Sequence, residues 1–197
     1  MGDGMKSDNR EPVRKPFNCA DQATATWFER AQVCADLVGS IPCQLGTPLS
    51  LADIGCGDQK LRNALEPRGL LLSYSGYDLL PQTPDVDMFD VRRDALPRKH
   101  DVAIMLGVIE YLADLATVLA GLARDVRYLV VSHVVRQNDE YSAEQLTALG
   151  WLNHLAAGQL ESMLKSSGFL VMDGRMTPDG KTKVFLCRSA AFSPTPE

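Results

Sequence analysis

The chain has 197 residues, 45% of them hydrophobic, a size and apolar content that suit one globular domain with a sizeable core. Its formal net charge is -5, and an acidic chain repels phosphate backbones, so nucleic acid is not an expected partner. The five cysteines, Cys19, Cys34, Cys43, Cys56 and Cys187, are odd in number and form no C-x-x-C pair, which argues against a disulfide framework or a zinc site.

The N-terminal stretch MGDGMKSDNREPVRKP is polar and lacks the apolar centre of a secretory signal. No run of about 18 apolar residues occurs, so no membrane span is expected and a cytoplasmic protein is read. Residues 1–17 and 191–197 are polar or Pro-rich and read as loose tails around a single domain over 18–190. In residues 25–38, Trp27, Phe28, Ala31, Cys34, Leu37 and Val38 fall on one stripe, predicting an amphipathic helix over 25–39. Residues 48–54 form a short apolar run ending in glycine, a buried strand. Residues 59–65 read as a helix stopping before Pro67. Strands follow at 70–77, 86–91 and 101–106. Tyr111, Leu112, Leu115, Val118, Leu119 and Leu122 have helical spacing, 127–132 (RYLVVS) is a fifth strand, and 158–167 a helix ended by Gly168. Residues 169–172 and 183–187 read as a final antiparallel pair, with the intervening PDG as its turn.

Continuous apolar strands alternating with helices predict an α/β fold: a Rossmann-like, doubly wound, seven-stranded, mostly parallel sheet with an antiparallel last strand. Such sheets bind ligands at the carboxyl ends of their strands, beside the topological switch point. Residues 55–57, Asp78, Asp90, Leu106, Gly107 and His133 all fall at strand carboxyl ends and are expected to line one crevice within a cofactor-binding core over 48–133. Residues 134–158 form an insert on the substrate side.

The loop LADIGCGDQKL decides which ligand fits. A dinucleotide fingerprint G-x-G-x-x-G would need a third glycine where Lys60 stands. Asp53 before the first glycine and Asp58 after the second would repel a pyrophosphate. A cationic ligand without phosphate is favoured, and S-adenosylmethionine carries an ammonium and a sulfonium; its carboxylate can still meet the loop amides. Asp78 in YSGYDLLP can accept from both ribose hydroxyls. Asp90 in DMFDVRRDALP can accept from the adenine amino group, with the Val91 amide facing a ring nitrogen.

Four stretches in order therefore carry a likeness. Over roughly residues 48–188 the chain resembles the class I S-adenosylmethionine-dependent methyltransferases. LADIGCGDQKL looks like their glycine loop, implying cofactor contacts from Asp53, Gly55, Cys56 and Gly57. YSGYDLLP looks like their acidic ribose motif, implying Asp78 and Leu79. MFDVRRDALP looks like their adenine motif, implying Asp90 and Val91. HDVAIMLGVIEYL looks like their fourth-strand motif, placing Leu106 and Gly107 against the cofactor. One departure is Gln59, where family loops often carry a third glycine.

Methyl transfer is an in-line displacement with a good leaving group, so positioning supplies most of the acceleration. A hydroxyl acceptor would gain from a base. His133, His154 and Tyr111 are the candidates, His133 because it follows the fifth strand. His100, before the fourth strand, is read as surface. Trp27, Phe28 and Trp151 are candidates to roof the acceptor. The short insert favours a small methyl acceptor, a sugar or secondary metabolite methylated at oxygen or nitrogen. Two alternatives remain: a non-catalytic S-adenosylmethionine-binding module that keeps the fold, and a nucleotide-binding oxidoreductase.

Overall fold

The computed structural model describes residues 25–43, 46–135 and 141–191. The two tails read from the sequence, apart from residue 191, lie outside the described residues, as does Cys19. Helix α1 (Ala25–Gly39) is followed by strand β1 (Leu49–Ile54), helix α2 (Lys60–Leu65), β2 (Leu72–Asp78), β3 (Val86–Met88), β4 (His100–Leu106), helix α3 (Leu115–Asp125), β5 (Val126–Val134), helices α4 (Ala143–Leu149) and α5 (Ala157–Ser166), then β6 (Phe169–Met176) and β7 (Thr182–Ser189).

The seven strands form one sheet in the order β3-β2-β1-β4-β5-β7-β6, parallel except where β7 runs antiparallel between β5 and β6. The chain reverses direction across the sheet between β1 and β4, so their carboxyl ends part there. Period-two alternation sends successive side chains to opposite faces. Ala52, Ile54, Ala103 and Met105 pack on the face covered by α3 and α5, with Leu119, Leu160 and Phe169. Leu51, Val102 and Ile104 pack on the other, under α1 and α2, with Ala31, Cys34, Leu37 and Leu61. Fully burying a side chain of Leu size contributes roughly 1.5–3 kcal/mol, so Leu37 and Val38 of α1 fasten it to the sheet.

Several boundaries shift from the sequence reading for local reasons. Phe28 leaves the buried stripe and is 55% exposed. The third strand stops at Met88, because the Asp90 carbonyl accepts from the Arg93 and Asp94 amides and closes a turn. The helix expected from Tyr111 divides into a 3-10 turn (Ile109–Tyr111) and α3, whose start is fixed by Asp114 accepting from the Thr117 amide. His100 is buried rather than on the surface, its Nε2 3.1 Å from the Tyr77 hydroxyl. No helix among the described residues is long and apolar enough to cross a membrane.

Candidate functional site

The glycine loop turns sharply out of β1. Gly55 (φ 74) and Gly57 (φ 51) take left-handed backbone, and the Gly55 and Cys56 amides both donate to the Tyr77 carbonyl at 2.7 and 3.1 Å. A Cβ at Gly55 would lie 2.5 Å from Val108 Cγ2, so the loop sits directly against the segment leaving β4. Gln59 takes φ 62, the conformation a glycine would adopt there. Its side chain is held in place: Nε2 donates to Thr83 Oγ1 at 3.0 Å and to the Asp85 carboxylate at 3.1 Å, while Oε1 accepts from Arg62. The missing third glycine is thus replaced by a strap onto the loop between β2 and β3.

Asp78 closes β2. One carboxylate oxygen accepts from the Gly57 amide and the other from the Leu80 amide, both at 2.9 Å. Each carboxylate oxygen has a further acceptor site, so the group is fixed in orientation and keeps capacity for two hydroxyl donors. Leu79 beside it is 49% exposed. Asp53 is 3% exposed and accepts from the Tyr74 hydroxyl at 2.5 Å. Burial pushes its carboxyl up to about 7; the Tyr74 bond opposes that shift and the Asp78 charge adds to it. Burial and the neighbouring Asp53 charge raise the Tyr74 phenol, which stays a donor.

Asp53, Gly55, Cys56 and Leu106 line one cleft together with Trp27, Arg30, Ala31, Asp58, Lys60 and Leu61, a space of about 390 Å³ that includes solvent at its mouth. Lys60 and Asp58 pair with each other. Gly107 (φ 69) donates its amide to Ser132 Oγ at 2.9 Å, and a Cβ there would strike the Arg30 guanidinium and lie 3.0 Å from Trp27. Helix α1 therefore roofs the carboxyl end of β4. Arg30 is a site residue the sequence reading missed, though its spacing from Trp27 and Cys34 puts a charge on the buried stripe.

Asp90 and Val91 are not among the residues lining this cleft. The Asp90 carboxylate is gripped by the Arg92 guanidinium through two bonds of 2.8 Å, which hold it below the usual carboxylate range, and Val91 packs against the core.

His133 is the clearest correction. It is fully buried and does not open onto the crevice. Its Nε2 accepts from the Leu155 amide at 2.9 Å, which leaves the proton on Nδ1, 3.2 Å from Glu110 Oε1. Glu110 is 1% exposed and also accepts from the Val134 amide at 3.0 Å. Burial alone would raise its carboxyl, but His133, Arg30 and the Val134 amide together bring it below its ordinary value. The Glu110 carbonyl accepts from the Leu152 and Asn153 amides, and Asn153 Nδ2 donates to the Ile109 and Leu112 carbonyls at 2.8 and 2.6 Å. The insert is clamped to the end of β4 by these bonds.

That clamp presents an aromatic group. His154 packs edge-on against Tyr141 and Trp151, with ring centroids 5.3 and 5.8 Å apart, and Trp151 Nε1 donates to the Tyr111 hydroxyl at 3.3 Å. Tyr111 and His154 thus belong to one surface, joined through Trp151. Helix α4, unassigned in the sequence reading, leads into it; the run Ser142-Ala143-Glu144-Gln145 is a capping box that announces its start. No group of three or more His, Cys, Asp or Glu residues among the described residues could hold a metal ion.

The architecture has known counterparts. The mitomycin 7-O-methyltransferase MmcR superposes with a TM-score of 0.60 at 16% identity, over 82% of this chain and 53% of that one. CalO1, a methyltransferase in calicheamicin biosynthesis in its SAH-bound form, gives 0.63 at 15% identity, over 84% and 54%. This chain has their fold. The [4+2]-cyclase SpnF shares it too, at 0.62 and 14% identity over 80% of each chain. The chain spans about half the length of the two methyltransferases. No family model matches the sequence, and no curated protein matches it.

Proposed function

We propose that this protein transfers the methyl group of S-adenosylmethionine to a small-molecule acceptor, a sugar or secondary metabolite taking it at oxygen or nitrogen. The carrying observation is the pairing of two carboxylates at the neighbouring carboxyl ends of β1 and β2. Asp78 is fixed by two amides with acceptor capacity for a ribose diol, and Asp53 is buried beside the glycine loop in need of a cation. An ammonium set against Asp53 offsets the cost of its ionisation, whereas a pyrophosphate would worsen it. The residues present fit the cofactor at its ribose and amino-acid ends; at the adenine end, Asp90 must share its oxygens with Arg92.

S-adenosylmethionine supplies an electrophilic methyl on a cationic sulfur. The chain's part is to orient and to exclude water. Gly55, Cys56 and Gly57 form the cradle, and Leu106 and Gly107 form its floor at the end of β4. Tyr111, Trp151 and His154 offer the acceptor an aromatic wall with polar edges. With the cofactor held by the glycine loop and Asp78, the chain would aim the acceptor's lone pair at the methyl group, and His154 or Tyr111 would take the acceptor's proton. His133 takes no part in that step and holds the insert in place.

Isothermal titration with S-adenosylhomocysteine (SAH) tests the reading. Wild type should bind one equivalent, and Asp78→Ala should weaken binding by about 1–3 kcal/mol, as expected for lost bonds to a charged group. Absence of binding to folded wild type would remove the proposal. The withdrawal of His133 from the crevice favours one second reading, a non-catalytic S-adenosylmethionine-binding module; it predicts the same titration but no labelled product across an acceptor panel.

A further inference from the structure

The rings gathered where the insert meets the end of β4 narrow the kind of acceptor they face. Tyr141, Trp151 and His154 each touch the other two, with centroids 5.3–5.8 Å apart and planes inclined by 59–69°. Tyr111, just past the end of β4, joins them by accepting from Trp151 Nε1. All four rings are half-buried and keep part of their surface open, and Leu152 beside them is 54% exposed. The polar neighbours of Tyr111 and His154 in the chain are engaged elsewhere. The Glu110 carboxylate bonds His133 and accepts from the Val134 amide, and the Asn153 amide nitrogen donates to the Ile109 and Leu112 carbonyls. Such a wall offers π faces and few hydrogen bonds.

Two kinds of acceptor lie flat on aromatic side chains, a sugar and an aromatic ring. A sugar carries hydroxyl groups around its rim, and each one that leaves water without a partner costs free energy. With Glu110 and Asn153 engaged inside the protein, most of those hydroxyls would go unanswered here, whereas an aromatic ring needs only offset or edge-on contact. The acceptor's proton points the same way. His133 has both ring nitrogens engaged, and Glu110, held below its ordinary value by His133, Arg30 and the Val134 amide, is a weak base. An aliphatic hydroxyl releases its proton several pH units above a phenol, whose pKa is about 10, so a site whose buried histidine and carboxylate are both engaged suits the phenol. Resting on the S-adenosylmethionine reading, we propose that the acceptor is a flat aromatic ring bearing a hydroxyl group, laid against Trp151 and Tyr141, and that Trp151 selects it over sugars. The products are then an aryl methyl ether, SAH and one proton, which His154 or water takes.

The test incubates the full chain with methyl-labelled S-adenosylmethionine and three sets of acceptors: hydroxylated naphthalenes and flavones, aryl amines, and methyl glycosides. Label should enter the phenols in preference to both other sets. Trp151→Leu should raise KM for the phenols roughly 5- to 100-fold, the scale of a lost stacking contact, with kcat changed far less and SAH affinity unchanged. Trp151→Phe, which keeps a ring, should recover most of that KM and guards against misfolding of the Leu variant. Label entering glycosides or amines in preference to phenols overturns the proposal, and so does the absence of any labelled phenol from protein that binds SAH. A loss of SAH affinity in Trp151→Leu that matches the rise in KM would show that Trp151 only supports the fold, which overturns its assignment. Failure of wild type to bind SAH would instead strike the cofactor reading itself.

Discussion

At the scale of single residues, Gln59 shows how a local rule is broken and compensated. A side chain in left-handed backbone costs about 1 kcal/mol, and the bonds to Thr83, Asp85 and Arg62 hold it there. Gln59→Gly should therefore unfold at a higher denaturant concentration than Gln59→Ala, by about 1 kcal/mol, because only glycine releases the strain while both lose the strap. Equal midpoints would mean the backbone relaxes when the strap is gone. Asp53 gives a pH signature. Its folded value near 7 exceeds the unfolded carboxyl, so between about 4 and 7 the folded state holds the extra proton, and stability falls as pH rises through that window. The ligand's ammonium prefers the ionised form, so SAH affinity should climb as pH rises through about 7, and Asp53→Asn should flatten the climb. Tyr74 and Asp78 face the same carboxyl, and Tyr74, raised by burial and the Asp53 charge, stays a phenol across this range in titrations of either protein.

At the scale of elements, the insert is held by polar bonds more than by apolar burial. His133→Ala would leave the buried Glu110 carboxylate without its side-chain donor, and should lower unfolding free energy by about 2–3 kcal/mol. A catalytic base would behave differently: turnover would collapse while the denaturation midpoint stayed put. Gly107→Ala combines φ 69 with a clash against Arg30 and Trp27, and should weaken SAH binding by at least tenfold in titration by pushing α1 off the end of β4. The elements themselves were largely legible, because parallel strands buried on both faces read as continuous apolar runs. The insert was less so. Its α4 is short and weakly apolar, and only the capping box marks it. His133 was misread because a strand-end position does not say which way a side chain points: a one-residue step separates the crevice from the core. Arg30 was passed over because a lone charge in a helix is ordinarily solvated, although its spacing from Trp27 and Cys34 sets it on the buried stripe, where it lies beneath Trp27.

At the scale of the whole molecule, sheet order fixes the function's location more firmly than any side chain. The reversal between β1 and β4 opens the crevice, and the glycine loop, Asp53 and Leu106 fall beside it because their strands end there. The same scaffold carries the cyclase SpnF as well as methyltransferases, so architecture leaves the chemistry to the charges, and here they favour a zwitterionic nucleoside without phosphate. Thermal unfolding with SAH and with NAD, each at high concentration, tests that claim most directly. A ligand present at 100 times its dissociation constant stabilises the folded state by about 2.7 kcal/mol, which for a domain of this size raises Tm by roughly 5–10 °C. The expected result is such a rise with SAH and none with NAD. A rise with NAD, or no rise with SAH over folded wild-type protein, would contradict the claim that this crevice is built for S-adenosylmethionine.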